Sequence, residues 1–268
     1  MNYELIDSGD GRRLEKFGDY LLDRPDPQII WKKNLPETEW QKASAKFDSK
    51  WIQNVSIPEK WVLNHNDVKF YAKLAPFKHT GIFPEQSVQW DYISASLNPH
   101  SSVLNLFGYT GIASLFAAKA EARVTHVDAS RPSITWANEN TKLNNIDSIR
   151  WIVDDALKFT EREARRGVKY DAIMMDPPVY GHGPTGSVWD FNRDFPTLLE
   201  NCKKILSDTP LFVLVNAYAI SSSSITLANT LQDYIGRKDG HIENGELTLK
   251  ESSGGRLLST GIWARWSK

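Results

Sequence analysis

A single cysteine in 268 residues, Cys202, leaves no partner for an internal disulfide and no thiolate cluster for a metal. Such a chain suits a reducing compartment. No run of about 18 apolar residues occurs, and the opening "MNYELIDSGDGRRLEKFG" lacks the apolar core of a signal peptide. The sequence is therefore read as that of a soluble, cytoplasmic protein that does not enter a membrane. Charge excess is missing as well: 32 Lys and Arg stand against 33 Asp and Glu, a formal net charge of -1. That excludes a global polyanion-binding surface and leaves only local patches. There is no internal repeat and no low-complexity tract. His65, His79 and His126 have no metal-ligand spacing, so no metal is expected.

What is present begins with apolar content, 41% of the chain, enough to fill a real core. Up to about residue 78 the pattern is short apolar or aromatic segments between turn formers. Asp10-Gly11 is a hairpin dipeptide, and Pro25, Pro27, Pro36 and Pro58 break any long helix. Residues 1–78 read as a small β-rich domain. Trp31, Trp40, Trp51 and Trp61 recur every nine to eleven residues, a spacing that suits its core better than a base-stacking surface. From Trp31 to Lys78, nine Lys stand against five Asp and Glu. This local excess suits either a solvated face or an RNA contact.

Residues 79–268 have a different texture. "SVLNLF", "RVTHVDA", "IRWIVDDA", "YDAIMMDPP" and "PLFVLVNAYA" are strand runs, and a helical stretch follows each. This alternation predicts an α/β domain with a mostly parallel sheet and helices on both faces. The closing runs "GELTLKES" and "RLLSTGIWARW" have no helix between them and predict an antiparallel hairpin at one sheet edge. "SSSS" at 221–224 reads as a helix entry.

In such sheets ligands sit beyond the carboxyl ends of the strands. Gly108 and Gly111 fall at the first end, where the chain must turn sharply before a helix whose first N–H groups are free. Asp128 ends the next strand, 20 residues after Gly108, where a carboxylate can accept both ribose hydroxyls. Asp155 ends the third strand and is placed to face an adenine amino group. Each aspartate alone could be only a helix N-cap, but three strand ends in succession point to a nucleoside. The spacing is not G-x-G-x-x-G, so the pyrophosphate cradle of a dinucleotide site is absent.

Asn105-x-x-Gly108-x-x-Gly111 resembles the first motif of class I S-adenosylmethionine-dependent methyltransferases. Asp176-Pro177-Pro178-Val179-Tyr180 resembles the Asp-Pro-Pro-aromatic motif of enzymes acting on nucleic-acid bases, with the aromatic one position late. Together with "GIFPEQSVQWDYI", "VDAS" and "GRLLSTGIWARW", in this order, they resemble the bacterial large-subunit ribosomal RNA methyltransferase group, over nearly the whole chain. The RNA-binding PUA module that several members carry at the N-terminus is not expected here.

The resemblance implies a Rossmann-like seven-stranded sheet and S-adenosylmethionine as cofactor. Its binding residues would be Phe83, Pro84 and Gln86, then Asn105, Phe107, Gly108, Tyr109, Thr110 and Gly111. Asp128, Ala129, Ser130, Asp155, Ala156 and Asp176 would complete them. Asp176, Pro177, Pro178 and Tyr180 would serve catalysis. The carboxylate and a proline carbonyl can accept hydrogen bonds from a planar amine while an aromatic ring stacks on the base.

Cytosine C5 methylation needs a thiolate that adds to the ring. The related C5 enzymes carry it at the end of the fifth strand, where this chain has "VNAYA". Cys202 lies mid-helix, so transfer to nitrogen or oxygen is expected, on RNA and most naturally on ribosomal RNA. A small-molecule or protein methyltransferase and a non-catalytic cofactor-binding module stay open as alternatives. The 181–194 stretch reads either as a lid, with His182 handling protons, or as a surface loop whose Trp189 docks on the core. Arg256 and Arg265 read as phosphate contacts or as solvated strand-edge charges.

Overall fold

Asp10 and Gly11 both have positive φ, 50° and 75°, which a two-residue hairpin turn requires. They join β1 (Tyr3–Gly9) to β2 (Arg12–Phe17). These torsions come from a computed structural model that describes residues 1–184 and 186–268. Two units make up the chain, each assembled from separated segments: Met1–Ser87 with Thr248–Ser259, and Val88–Leu247 with Thr260–Lys268.

In the first unit, β3 (Tyr20–Pro25), a short helix α1 (Glu37–Trp40), β4 (Ala45–Asp48) and β5 (Lys50–Gln53) follow β2. The sheet order is β1-β2-β3-β4-β5, antiparallel except for β3 with β4. β6 (Trp61–His65) and β7 (Val68–Ala72) form a separate antiparallel hairpin. Trp40 and Trp61 are buried as expected of a core. Trp31 and Trp51 are half-buried, and their indole N–H groups donate to Ser8 and to the Ala75 carbonyl.

Charge is also buried in this unit. Glu15 accepts from Tyr3 Oη at 2.8 Å and from Arg24 Nε and Nη2 at 2.7 and 2.8 Å. Arg13 Nε lies 3.6 Å from Glu15 and 3.5 Å from Asp26. The Thr248–Ser259 segment adds Leu249 and Leu258 to a cluster with Leu5 and Ile29, while Glu251 Oε1 accepts from the backbone N–H and the hydroxyl of Ser8. Arg256 donates to the carbonyls of Ser8 and Lys32, so its guanidinium is spent on this unit's own backbone.

The second unit is entered through the 3-10 turn Pro84–Gln86 and α2 (Ser87–Ser96). There follow β8 (Ser102–Leu106), α3 (Ile112–Lys119), β9 (Arg123–Asp128), α4 (Arg131–Leu143), β10 (Ile149–Val153) and α5 (Ala156–Arg166). Next come β11 (Ala172–Met175), the ribbon strands β12 (Tyr180–His182) and β13 (Val188–Asp190), and α6 (Phe191–Ile205). β14 (Phe212–Ala217), α7 (Ser224–Tyr234), β15 (His241–Lys250) and β16 (Leu257–Ser267) close the chain.

The sheet runs β10-β9-β8-β11-β14-β16-β15, with the first five strands parallel and β16 antiparallel to β14. This is the expected seven-stranded, Rossmann-like sheet. On one face Leu104, Leu106, Ile173, Met175, Val213 and Val215 pack against α5, α6 and α7. On the other, Trp90 of α2 stacks on Phe116 of α3, with ring centroids 5.5 Å apart.

Strand order reverses between β8 and β11, which places a crevice at their carboxyl ends. Side chains cap the helices that leave this edge. Ser130 opens α4, Asp155 α5 and Asp190 α6, each accepting from a first-turn N–H. Ser223 caps α7, matching the serine-run reading. Only α3 among these starts from glycine, Gly111 at φ 81°. Among the described residues no helix is long and apolar enough to cross a membrane.

Candidate active site

Past Leu106 the chain makes a turn that few sequences tolerate. Phe107 and Tyr109 take φ of 54° and 50°, and Gly111 takes 81°. Left-handed torsions at non-glycine residues are strained and persist only when their surroundings hold them. Here the hold is visible. Gly108 N donates to Val127 O, Gly111 N to Gly108 O, and Tyr109 N to Asp128 Oδ2 at 2.8 Å.

Asp128 is the hinge of the arrangement. Its Oδ2 takes the Tyr109 N–H and its Oδ1 takes the Ser130 N–H, also at 2.8 Å. Two loops are thus pinned by one carboxylate. Burial pushes its pKa up, and the two N–H donors act in the opposite direction. Each oxygen keeps a lone pair for a ligand.

A cavity of about 300 Å³ opens at these strand ends. Of the residues expected to bind or react, it brings together Phe107, Asp128, Ala129, Ser130, Asp155, Ala156, Asp176 and Pro178. Among the described residues, four carboxylates line it, Asp154 included, and no Lys or Arg does. Such a lining disfavours a pyrophosphate and suits a cationic, phosphate-free nucleoside such as a sulfonium.

Other expected residues are not in the lining. Asn105 is buried, with Nδ2 donating to Ser114 Oγ at 2.9 Å, and the Thr110 carbonyl accepts from Asn140. With Gly108, Tyr109 and Gly111 they build the turn rather than the wall. Burial and the Asp128 carboxylate push the Tyr109 hydroxyl up to about 12, so it stays protonated. Pro177 is buried, whereas Tyr180 is 70% exposed, next in the chain to cavity-lining Gly181. Phe83, Pro84 and Gln86 belong to the first unit, at and within the 3-10 turn.

Asp155 has more partners than strand-end spacing shows. Its Oδ1 accepts the Lys158 N–H that caps α5, and its Oδ2 accepts from Ser187 Oγ at 2.6 Å. Asp154 pairs with Arg162 and accepts the Asp155 N–H.

The 181–194 stretch, of which Thr185 lies outside the described residues, forms the β12–β13 ribbon and the start of α6. Trp189 is only 6% exposed, 5.0 Å from the Phe107 ring, and donates to the Pro178 carbonyl at 2.6 Å. It is docked and also lines the cavity, with Gly181, His182 and Gly183. Trp189→Ala is expected to cost about 3 kcal/mol of stability, the order found for deleting a buried aromatic ring. Trp189→Phe should cost only about 1 kcal/mol, for the lost hydrogen bond. Denaturant unfolding of the two variants checks both values.

A parallel sheet with a switch point, a pinned glycine turn and an acidic, phosphate-free nucleoside cavity defines an α/β enzyme class that uses a nucleoside cofactor. A model of the S-adenosylmethionine-dependent methyltransferase family matches residues 40–233, and the chain belongs to that family, with S-adenosylmethionine as its cofactor. The crystal structure of the SAM-dependent methyltransferase from Agrobacterium tumefaciens is similar over 100% of this chain and 90% of that one, at 39% identity and a TM-score of 0.96. SMU.776, crystallised in complex with SAH, shares the fold at 18% identity and a TM-score of 0.75, over 99% of this chain and 75% of its own. The ribosomal RNA large subunit methyltransferase K/L of Pseudoalteromonas atlantica is 32% identical over 190 residues, 69% of this chain and 25% of that protein. The chain thus spans about a quarter of the length of the curated relatives it matches.

Proposed function

We propose that this protein transfers a methyl group to a nitrogen or oxygen of an RNA nucleotide, with ribosomal RNA as the substrate. The observation that carries the reading is that Asp176 and Pro178 line the same cavity as Asp128, while Tyr180 stands exposed two residues beyond Pro178. The cofactor supplies an electrophilic methyl group on a sulfonium. The chain's own part is to place a nucleophile in line with it, and orientation of this kind lowers barriers substantially.

Asp176 is the acceptor that orients an amine or hydroxyl and takes its proton. The Pro178 carbonyl is already engaged by Trp189, which stiffens the motif around Asp176. Tyr180 offers a ring face to a base. Cys202 supports nitrogen or oxygen as the acceptor: it is fully buried in α6, and burial pushes its thiol up, away from the thiolate. RNA is favoured by the relatives' name and by exposed Lys46, Lys50, Lys60 and Lys69 on the first unit.

The test is transfer of labelled methyl from S-adenosylmethionine to protein-free ribosomal RNA from a strain lacking the gene, with nucleoside mass spectrometry of the product. Asp176→Ala should slow transfer by about 100-fold or more, the range for a lost general base. Label appearing on protein or small molecules and never on RNA would remove the RNA assignment while leaving the family intact.

A further inference from the structure

Gly108 is the glycine of the cofactor turn whose torsions do not explain it. Its φ is not in the left-handed region, unlike that of Gly111, so an alanine could adopt the backbone conformation. Space is what forbids it. A Cβ at this position would lie against the imidazole of His126, 2.6 Å from Nδ1 and 2.8 Å from Nε2. It would not project into the cavity, whose lining does not include Gly108.

His126 is held rigidly. Its ring is fully buried, 4.7 Å from the Trp151 ring, and its Nδ1 is 2.9 Å from Ser114 Oγ. Ser114 Oγ already accepts from Asn105 Nδ2 at 2.9 Å, so its own proton goes to Nδ1. That leaves the proton of the ring on Nε2, which has no hydrogen-bond partner among the described residues. The opposite tautomer would orphan both the serine proton and the Nε2 lone pair, one group more. Burial pulls the imidazole down to about 3, so it carries no charge.

We infer that His126 is a positioning residue of the methyltransferase site: its neutral ring is the platform on which Gly108 rests, and position 108 must be glycine because of that ring rather than because of the cofactor. With the turn seated on the ring, the Tyr109 N–H reaches Asp128 Oδ2. Lifting the turn by a methyl group breaks that bond and moves a ribose acceptor. The inference rests on the cavity taking S-adenosylmethionine.

The test is reciprocal rescue, read as the S-adenosylmethionine dissociation constant by calorimetry for wild type, Gly108→Ala, His126→Ser and the double variant. Gly108→Ala should weaken binding about tenfold or more, and the double variant should return to within about threefold of His126→Ser alone, as directly coupled residues do. A double variant as weak as Gly108→Ala, or weaker, would overturn the inference and return the glycine to the cofactor. No binding by the wild type would instead sink the cofactor reading. Thermal unfolding of each variant separates misfolding from misplacement. If His126→Ser does not fold, His126→Asn takes its place in the cycle. Independently, long-range ¹H–¹⁵N correlation spectra of the wild type should show a proton on Nε2 and none on Nδ1; a proton on Nδ1 overturns the tether.

Discussion

Asp128→Ala is expected to weaken S-adenosylmethionine binding by about 100-fold or more, as titration calorimetry would read it. One carboxylate there makes two short backbone hydrogen bonds, and on the proposed reading its remaining lone pairs would accept from the ribose. Hydrogen bonds to a charged group contribute about 1.5–3 kcal/mol each, so losing the ligand's pair accounts for the effect before any loop movement is counted. Loop movement adds to it, because the Tyr109 and Ser130 N–H groups lose their shared acceptor. Asp128→Asn is no gentler: the amide turns a donor toward one of those two N–H groups. The pH dependence has a definite sign. Burial raises the Asp128 pKa, so ionising it opposes folding, and that penalty is felt as pH rises through the raised value. Binding would run the other way if Asp128 accepts from the ribose as proposed, since the ionised form is the better acceptor. Affinity should therefore fall as pH drops through a window raised above the ordinary aspartate value.

Glu15→Ala is expected to be the most damaging change outside the cavity, costing about 3–5 kcal/mol in denaturant unfolding. Glu15 is fully buried, Arg24 beside it is 2% exposed and Arg13 9%. Removing the carboxylate leaves the buried Arg24 guanidinium without its paired anion and takes from Arg13 one of its two, Asp26 remaining. A whole domain is stable by about 5–15 kcal/mol, so a large share is at stake. Although burial pushes the Glu15 carboxyl up, the Arg13 and Arg24 cations outweigh it and hold the group below its usual range. Its contribution is present above the unfolded pKa and lost as pH falls through the lowered folded one. Acid should thus weaken the wild type relative to Glu15→Ala, and the two unfolding curves should converge at low pH.

The five parallel strands were legible because each is a short apolar run followed by a helical pattern, and a parallel sheet buried on both faces demands such runs. The glycine turn and Asp128 were legible because their spacing is local to one strand–helix unit. What the sequence could not display are partners brought from far away. Ser187 meets Asp155 from 32 residues downstream, and Trp189 reaches back to Pro178. Glu15, Arg13 and Arg24 look like surface charges because composition prices a charge as solvated, and only the pairing within β2 and β3 makes burial tolerable. His126 has no metal-ligand spacing, and nothing local in the sequence marks it. Its use depends on lying under Gly108, 18 residues away in the chain. Arg265 reads in the sequence as a phosphate contact or a solvated strand-edge charge, and its guanidinium lies 3.4 Å over the Tyr92 ring.

The tip of the last hairpin has a consequence for how the protein is made. Leu249, Glu251 and Leu258 complete a core begun by Leu5 and Ser8. On a ribosome the first 87 residues emerge early, but roughly 160 further residues must be translated before that tip exists, some 8–30 s at about 5–20 residues per second. For that interval the early segment waits with Leu5 and Ile29 uncovered. The unit that opens with β1 is begun long before it can be finished, and the nascent chain is exposed to chaperones and proteases while it waits.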